Sequence, residues 1–207
     1  MNSRKIVGLF WKTLWLGGAA GLITSFFIEA EQYSRYLSPF NLKELLGVIL
    51  FSLGLGLVFS VISQTGFFAY LFINRFGQGL FRSFWPTVQL ALIAFVLFDL
   101  VYFPYTGASE NATLLPYILV ALGLLVFGIL AALWKVKETN KRAFIPALFL
   151  MVVMTTLEWV PGLRTSGVDY KWLMIVPLLL CNAYQLMMLH RLQNKVPVAQ
   201  GKASAAK

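Results

Sequence analysis

The chain has 207 residues, of which 59% are hydrophobic and only 12% are charged, whereas soluble domains carry roughly 25% charged residues. This composition excludes an ordinary soluble enzyme and indicates an integral membrane protein. The formal net charge of +9 would suggest nucleic acid binding in a soluble protein. Here the basic residues lie between apolar blocks, so they are interpreted as topology signals and no nucleic acid partner is expected.

Six apolar stretches approach the ~20 residues that a helix needs to cross about 30 Å of hydrocarbon. They are continuous and too long for barrel strands, so the sequence predicts an all-α bundle of six transmembrane helices within one membrane domain, residues 1–194. The expected spans are residues 6–28, 45–63, 84–103, 114–134, 143–160 and 172–189. A short apolar stretch after the second span, residues 67–73, either extends that helix or lies at the membrane interface.

The distribution of Lys and Arg predicts the orientation of the bundle. Along an alternating six-span path, 13 of the 17 basic residues fall on one side and 4 on the other. Because cytoplasmic segments are enriched in Lys and Arg, both termini are expected in the cytoplasm. Residues 195–207 lack apolar periodicity and are rich in small and polar residues, which predicts a disordered cytoplasmic tail.

Polar groups inside the apolar spans are the first candidate sites. Asp99 and Glu158 are acids within predicted spans, where ionisable groups are costly. They either reach interfacial water or an outer base, or they meet in a shared cavity that binds a ligand. In the last span Asn182 and Gln185, three residues apart on one helix face, either form hydrogen bonds inside the bundle or contact a ligand or partner helix.

Small residues mark candidate helix-packing faces. Gly17 and Gly21 are four residues apart on one face of the first span, and small residues lie at the same spacing before Gly56 and after Gly128. Gly54, in the second span, is a further candidate. Packing within the chain is expected to use most of these faces, and whether the protein also forms homo-oligomers is left open.

A basic loop is predicted between the fourth and fifth spans. Its charged residues are Lys135, Lys137, Lys141 and Arg142. Such a loop sets topology and contacts anionic lipids, and it could also bind an acidic face of a partner protein.

Motifs for catalysis are missing from the sequence. One cysteine and one histidine exclude an internal disulfide and an HExxH zinc site, and the chain has no GxSxG, P-loop or dinucleotide-binding signature. The sequence therefore predicts no enzyme, no cofactor and no metal.

Several stretches together resemble a known family. They are VFSVISQTGFFAYLFINRFG (58–77), VLFDLVYFPY (96–105), LPYI (115–118), EWVPGLR (158–164) and PLLLCNAYQLMML (177–189). They resemble the KinB-signalling-pathway activation family, KbaA, of Bacillus and its relatives, over nearly the whole chain. The resemblance implies a multispanning cell-membrane protein that promotes the activity of a membrane sensor histidine kinase feeding the sporulation phosphorelay. The resemblance assigns no catalytic or binding residues to this chain.

Three function hypotheses follow from these features and from the resemblance. The first is a non-enzymatic regulator that binds the kinase through its spans, since a partner that contacts two kinase states differently shifts their populations. The alternative is a small transporter or membrane-ligand-binding protein that uses Asp99 and Glu158 in one cavity. An enzyme acting on a lipid or peptide ranks third, because no nucleophile and base pair is recognisable.

Reporter fusions test the predicted topology. Fusions after Arg82, after Arg142 and at the C-terminus are expected to report the cytoplasm, because these positions lie on the side of the membrane that holds most of the Lys and Arg residues. Fusions after Tyr36 and Asn111 are expected to report the outside. A C-terminal fusion that reports the outside would overturn the even number of spans.

Overall fold

A computed structural model describes residues 3–37, 40–108, 113–165 and 168–193, and the predicted tail at 195–207 lies outside them. The described elements are helices, apart from one isolated bridge between Leu37 and Phe40, which confirms the all-α class. Within the described residues, five helical runs are long and apolar enough to cross a membrane. They are Arg4–Ile28, Leu42–Thr106, Leu115–Glu138, Lys141–Arg164 and Asp169–His190.

The first half of the chain forms four helices. They are α1 (Ser3–Ile28), the short α2 (Ala30–Leu37), α3 (Leu42–Phe81) and α4 (Trp85–Thr106). Helix α3 has 40 residues and is about 60 Å long, roughly twice the thickness of the hydrocarbon layer. Residues 67–73 extend this helix without a break, so of the two options left by the sequence, extension is the observed one.

A tight turn separates α3 from α4, although the two helices and the turn form one continuous helical run, Leu42–Thr106. Arg82 has a φ of 48°, in the left-handed region, and begins a 3₁₀ turn. Trp85 Nε1 then donates a hydrogen bond of 2.8 Å to Asn74 Oδ1, and Gln89 Nε2 donates to the same atom at 3.4 Å. The indole lies against Gly77, where an added Cβ would come within 2.5 Å of the ring. These contacts fold the start of α4 back onto the end of α3.

The second half of the chain supplies the core. It contains α5 (Leu115–Glu138), α6 (Phe144–Phe149), α7 (Thr155–Arg164) and α8 (Val168–Gln193). A π-helical turn, Leu150–Met154, joins α6 to α7, and all five of its residues are buried. The run Lys141–Arg164, which contains this turn, is the most buried of the five candidate spans, and α3, α4, α5 and α8 pack against it.

Helices α1 and α3 touch through their backbones. A Cβ at Gly56 would lie 2.5 Å from the Gly17 carbonyl oxygen, and a Cβ at Gly21 would lie 2.6 Å from the Gly56 Cα. Across the same interface Ser60 Oγ donates to the Thr13 carbonyl oxygen at 2.8 Å. These glycines therefore allow close approach within the chain.

The two remaining candidate glycines differ from each other. Gly128 of α5 faces the core helix, where its Cβ would lie 3.1 Å from Val152 and 3.2 Å from Leu148. Nothing lies within 4 Å of a Cβ built on Gly54. Gly54 is thus the only one of the five candidate packing glycines whose face is open within the described structure.

Candidate functional site

A buried polar cluster lies where α3, α7 and α8 meet. Its members are Ser63, Thr155, Glu158, Asn182 and Gln185, and each side chain is buried. The two residues from α7 are three apart, as are the two from α8, so each pair projects from one face of its helix. The helical spacing thereby concentrates the polar groups of otherwise apolar segments at a single point.

Asn182 is the centre of this cluster. Its Nδ2 donates to Glu158 Oε2 at 2.7 Å and to Thr155 Oγ1 at 2.9 Å, while its Oδ1 accepts from Ser63 Oγ at 2.6 Å. Gln185 Nε2 adds a bond of 2.7 Å to Ser63 Oγ. The hydrogen bonds expected of Asn182 and Gln185 from the sequence are thus found inside the bundle.

Glu158 lies deeper in the bundle than the sequence suggests. Glu158 is 8% exposed, and its carboxyl group accepts a hydrogen bond from Asn182. The expectation that it reaches interfacial water or an outer base is therefore wrong. The reason is that α7 continues through Pro161 to Arg164, which places Glu158 six residues before the helix end. Among the described residues Glu158 Oε1 has no hydrogen-bond partner, and the carboxyl group lies directly against Gly66 of α3.

Asp99 belongs to a different site on the other side of α7. It lines a pocket of about 490 Å³ between α4 and α7, together with Arg164, Thr156 and seven apolar residues. Glu158 is not among the lining residues, because it projects from α7 toward Gly66 and Asn182. The structure therefore does not bring the two acids into the shared cavity that the alternative hypothesis requires.

Lys135 is not part of an exposed basic loop. Its side chain is buried, with Nζ donating to the Leu186 carbonyl oxygen at 2.6 Å and lying 3.1 Å from His190 Nδ1. His190 Nε2 in turn lies 3.5 Å from Glu138 Oε2. Lys135 thus ties the end of α5 to the last turns of α8, where the carbonyl end of the helix favours a cation.

The exposed part of the predicted basic loop begins after Lys135. Lys137, Lys141 and Arg142 are exposed. The inward position of Lys135 has a signal in the sequence, since it lies four residues after Ala131 and seven after Gly128, both of which are buried. Gly66, by contrast, carries no signal that identifies its neighbour, because the contact with Glu158 joins distant segments.

Together these features define an all-α protein with five helical runs long and apolar enough to cross a membrane, in which interior polar groups bind one another. The chain belongs to the KbaA family, described as KinB-signalling pathway activation in sporulation, and the family model matches residues 17–192. It is 38% identical over 198 residues to the KinB-signaling pathway activation protein of Bacillus subtilis strain 168, covering 94% of this chain and 100% of that relative. No solved structure matches the chain.

The contact between Gly66 and Glu158 predicts a compensating pair of substitutions. Gly66→Ala is expected to lower stability by about 1–3 kcal/mol, because the added methyl group overlaps the Glu158 carboxyl group. In the Gly66→Ala/Glu158→Ala double variant the overlap is removed. Its loss of stability is therefore expected to be clearly smaller than the sum of the losses in the two single variants, Gly66→Ala and Glu158→Ala. Thermal unfolding of the purified protein in detergent measures each value.

Gly54→Ala is the matched control, because the methyl group enters open space on the same helix. Its melting temperature is expected to equal or slightly exceed that of the wild type, because alanine favours the helix more than glycine does. Additive losses at positions 66 and 158 would show that the two residues do not press on each other.

Proposed function

We propose that this chain is a non-enzymatic membrane regulator that promotes the activity of a sensor histidine kinase in the initiation of sporulation. Membership of the KbaA family supports a role in activation of the KinB signalling pathway. The name of the Bacillus subtilis relative is that of a signalling activation protein rather than an enzyme. Direct contact with the kinase, through helices within the membrane, is the mechanism that we add.

The proposed topology has six passes with both termini in the cytoplasm. The contacts of Trp85 and Gln89 with Asn74 support a division of the run Leu42–Thr106 into two antiparallel passes. The 13 to 4 distribution of Lys and Arg along a six-pass path supports the orientation.

One observation carries the proposed mode of contact: α3 has an open apolar face with small residues. Gly47 and Gly54 are seven residues apart, which is two helical turns, and nothing lies within 4 Å of a Cβ built on either. Leu50, Phe51 and Val58 lie on the same side, and Leu50 is 65% exposed. Because Gly56 is covered by α1, this second face is available for a helix of another protein.

A contact of this kind activates a kinase without chemistry. A regulator that binds the active state more tightly than the inactive state shifts the equilibrium by its difference in binding free energy. A difference of about 1.4 kcal/mol changes the ratio of the two states tenfold. A few van der Waals contacts and hydrogen bonds between closely approaching helices supply free energies of this size.

The transporter hypothesis loses its main support. It requires Asp99 and Glu158 in one cavity, whereas the pocket lined by Asp99 lies on the other side of α7 from the Glu158 carboxyl group. We therefore propose the regulator alone.

Bulky substitutions on the two faces of α3 test the proposed contact. Gly54→Leu is expected to leave the amount of folded protein unchanged and to reduce kinase activation at least tenfold, because the new side chain blocks approach of the kinase helix. Gly56→Leu is expected to reduce the folded protein itself, because its side chain would enter the α1 backbone. Kinase autophosphorylation in membranes that contain both proteins gives the activation.

Gly123→Leu on α5 is the matched control, since nothing lies within 4 Å of its Cβ either. It is expected to activate the kinase normally. Normal activation by Gly54→Leu, at equal abundance, would show that the open face of α3 is not the docking face.

A further inference from the structure

The pocket between α4 and α7 opens toward the hydrocarbon. Seven of its lining residues are apolar, and two of these, Phe103 and Leu157, are 64% and 55% exposed. Both lie in helical runs that are candidate membrane spans. The mouth of the pocket therefore faces the region that lipid chains occupy in the membrane.

Two residues of opposite charge, Asp99 and Arg164, line this pocket. Asp99 is half-buried and lies seven residues before the end of α4, and Arg164 is the exposed last residue of α7. Within the described residues, no ion pair joins Asp99 to Arg164 or to another base. An acid within a span normally pairs with a base or lines a functional site, and Asp99 lines a pocket that also holds a base, which makes this pocket a candidate site for a ligand with both charges.

We propose that this pocket binds a phospholipid with a primary ammonium head group, such as phosphatidylethanolamine. The ammonium pairs with the Asp99 carboxylate and the phosphate with the Arg164 guanidinium, whose planar fork suits phosphate oxygens. The acyl chains leave across Leu157 and Phe103 into the bilayer.

Size and hydrogen-bonding capacity favour this ligand over other membrane lipids. The volume of about 490 Å³ lies within the roughly 300–1,000 Å³ typical of small-molecule sites, enough for a head group and its glycerol. A primary ammonium has three hydrogen-bond donors for a carboxylate. The trimethylated nitrogen of phosphatidylcholine has none, and phosphatidylglycerol has no cation, so neither gives Asp99 an ion pair that is also a hydrogen bond.

Lipid retention by the purified protein tests this site. The wild type, in a mild detergent, is titrated with phosphatidylethanolamine or phosphatidylcholine of identical acyl chains, and the bound lipids are counted by native mass spectrometry. The wild type is expected to bind phosphatidylethanolamine at least tenfold more tightly. Asp99→Asn and Arg164→Gln are each expected to reduce this preference at least fivefold.

Glu44→Gln and Lys43→Gln are the charge-matched controls, since both residues are exposed at the start of α3 and outside the pocket. They are expected to keep the wild-type preference. If Asp99→Asn does not fold, the lipid preference of the Arg164→Gln variant alone tests the proposal, since Arg164 is exposed. Equal retention of the two lipids by the wild type, or an unchanged preference in a folded Arg164→Gln protein, would overturn the proposal.

Soluble glycerophosphoethanolamine distinguishes a lipid from a free zwitterion as the ligand. It lacks the acyl chains, so at millimolar concentration it is expected to displace less than a tenth of the bound lipid. Complete displacement would overturn assignment to a lipid. The site does not depend on the kinase, so a failure here leaves the proposed regulator function untouched.

Discussion

The side-chain amide of Asn182 joins three helices of this bundle. It accepts a hydrogen bond from Ser63 of α3 and donates to Thr155 and Glu158 of α7, while its own backbone belongs to α8. Interhelical hydrogen bonds in membranes stabilise by about 0.6 kcal/mol each on average, so these bonds contribute modestly to stability. Their larger effect is on orientation, because a polar group that turns away into hydrocarbon loses its partner and finds no water.

The rotation of α7 follows from this cluster, and the two faces of α7 acquire different roles. Glu158 is held toward Asn182, and Trp159 Nε1 donates to the Lys171 carbonyl oxygen at 2.9 Å, which fixes the connection to α8. The opposite face, with Leu157 and Arg164, lines the pocket that Asp99 shares. The π turn before α7 lies entirely in the core, and such turns are frequent at functional sites.

Much of the architecture is predictable from the sequence, because apolar length, glycine spacing and paired amides are local signals. The helical class and the inward hydrogen bonds of Asn182 and Gln185 follow from them. The length of α3 does not, because the apolar pattern of the second span ends at residue 63, whereas continuing the helix through Gln64, Thr65 and Gly66 satisfies their backbone groups. The depth of Glu158 also depends on a distant partner, an amide on α8, and the spacing that turns Lys135 inward does not identify the carbonyl group that it meets near the end of α8. Contacts between segments far apart in sequence leave no pattern in either segment alone.

If the chain acts by binding the kinase, its effect depends on occupancy and not on turnover. The most direct test titrates the amount of this protein against a fixed amount of kinase in membranes, with both abundances measured and kinase autophosphorylation as the readout. Activation is expected to rise with the ratio of the two proteins and to saturate near one regulator per kinase, because each bound regulator shifts only the kinase that it contacts. Full activation at a small fraction of one regulator per kinase would contradict this mechanism, since only a catalyst acts on many targets in turn.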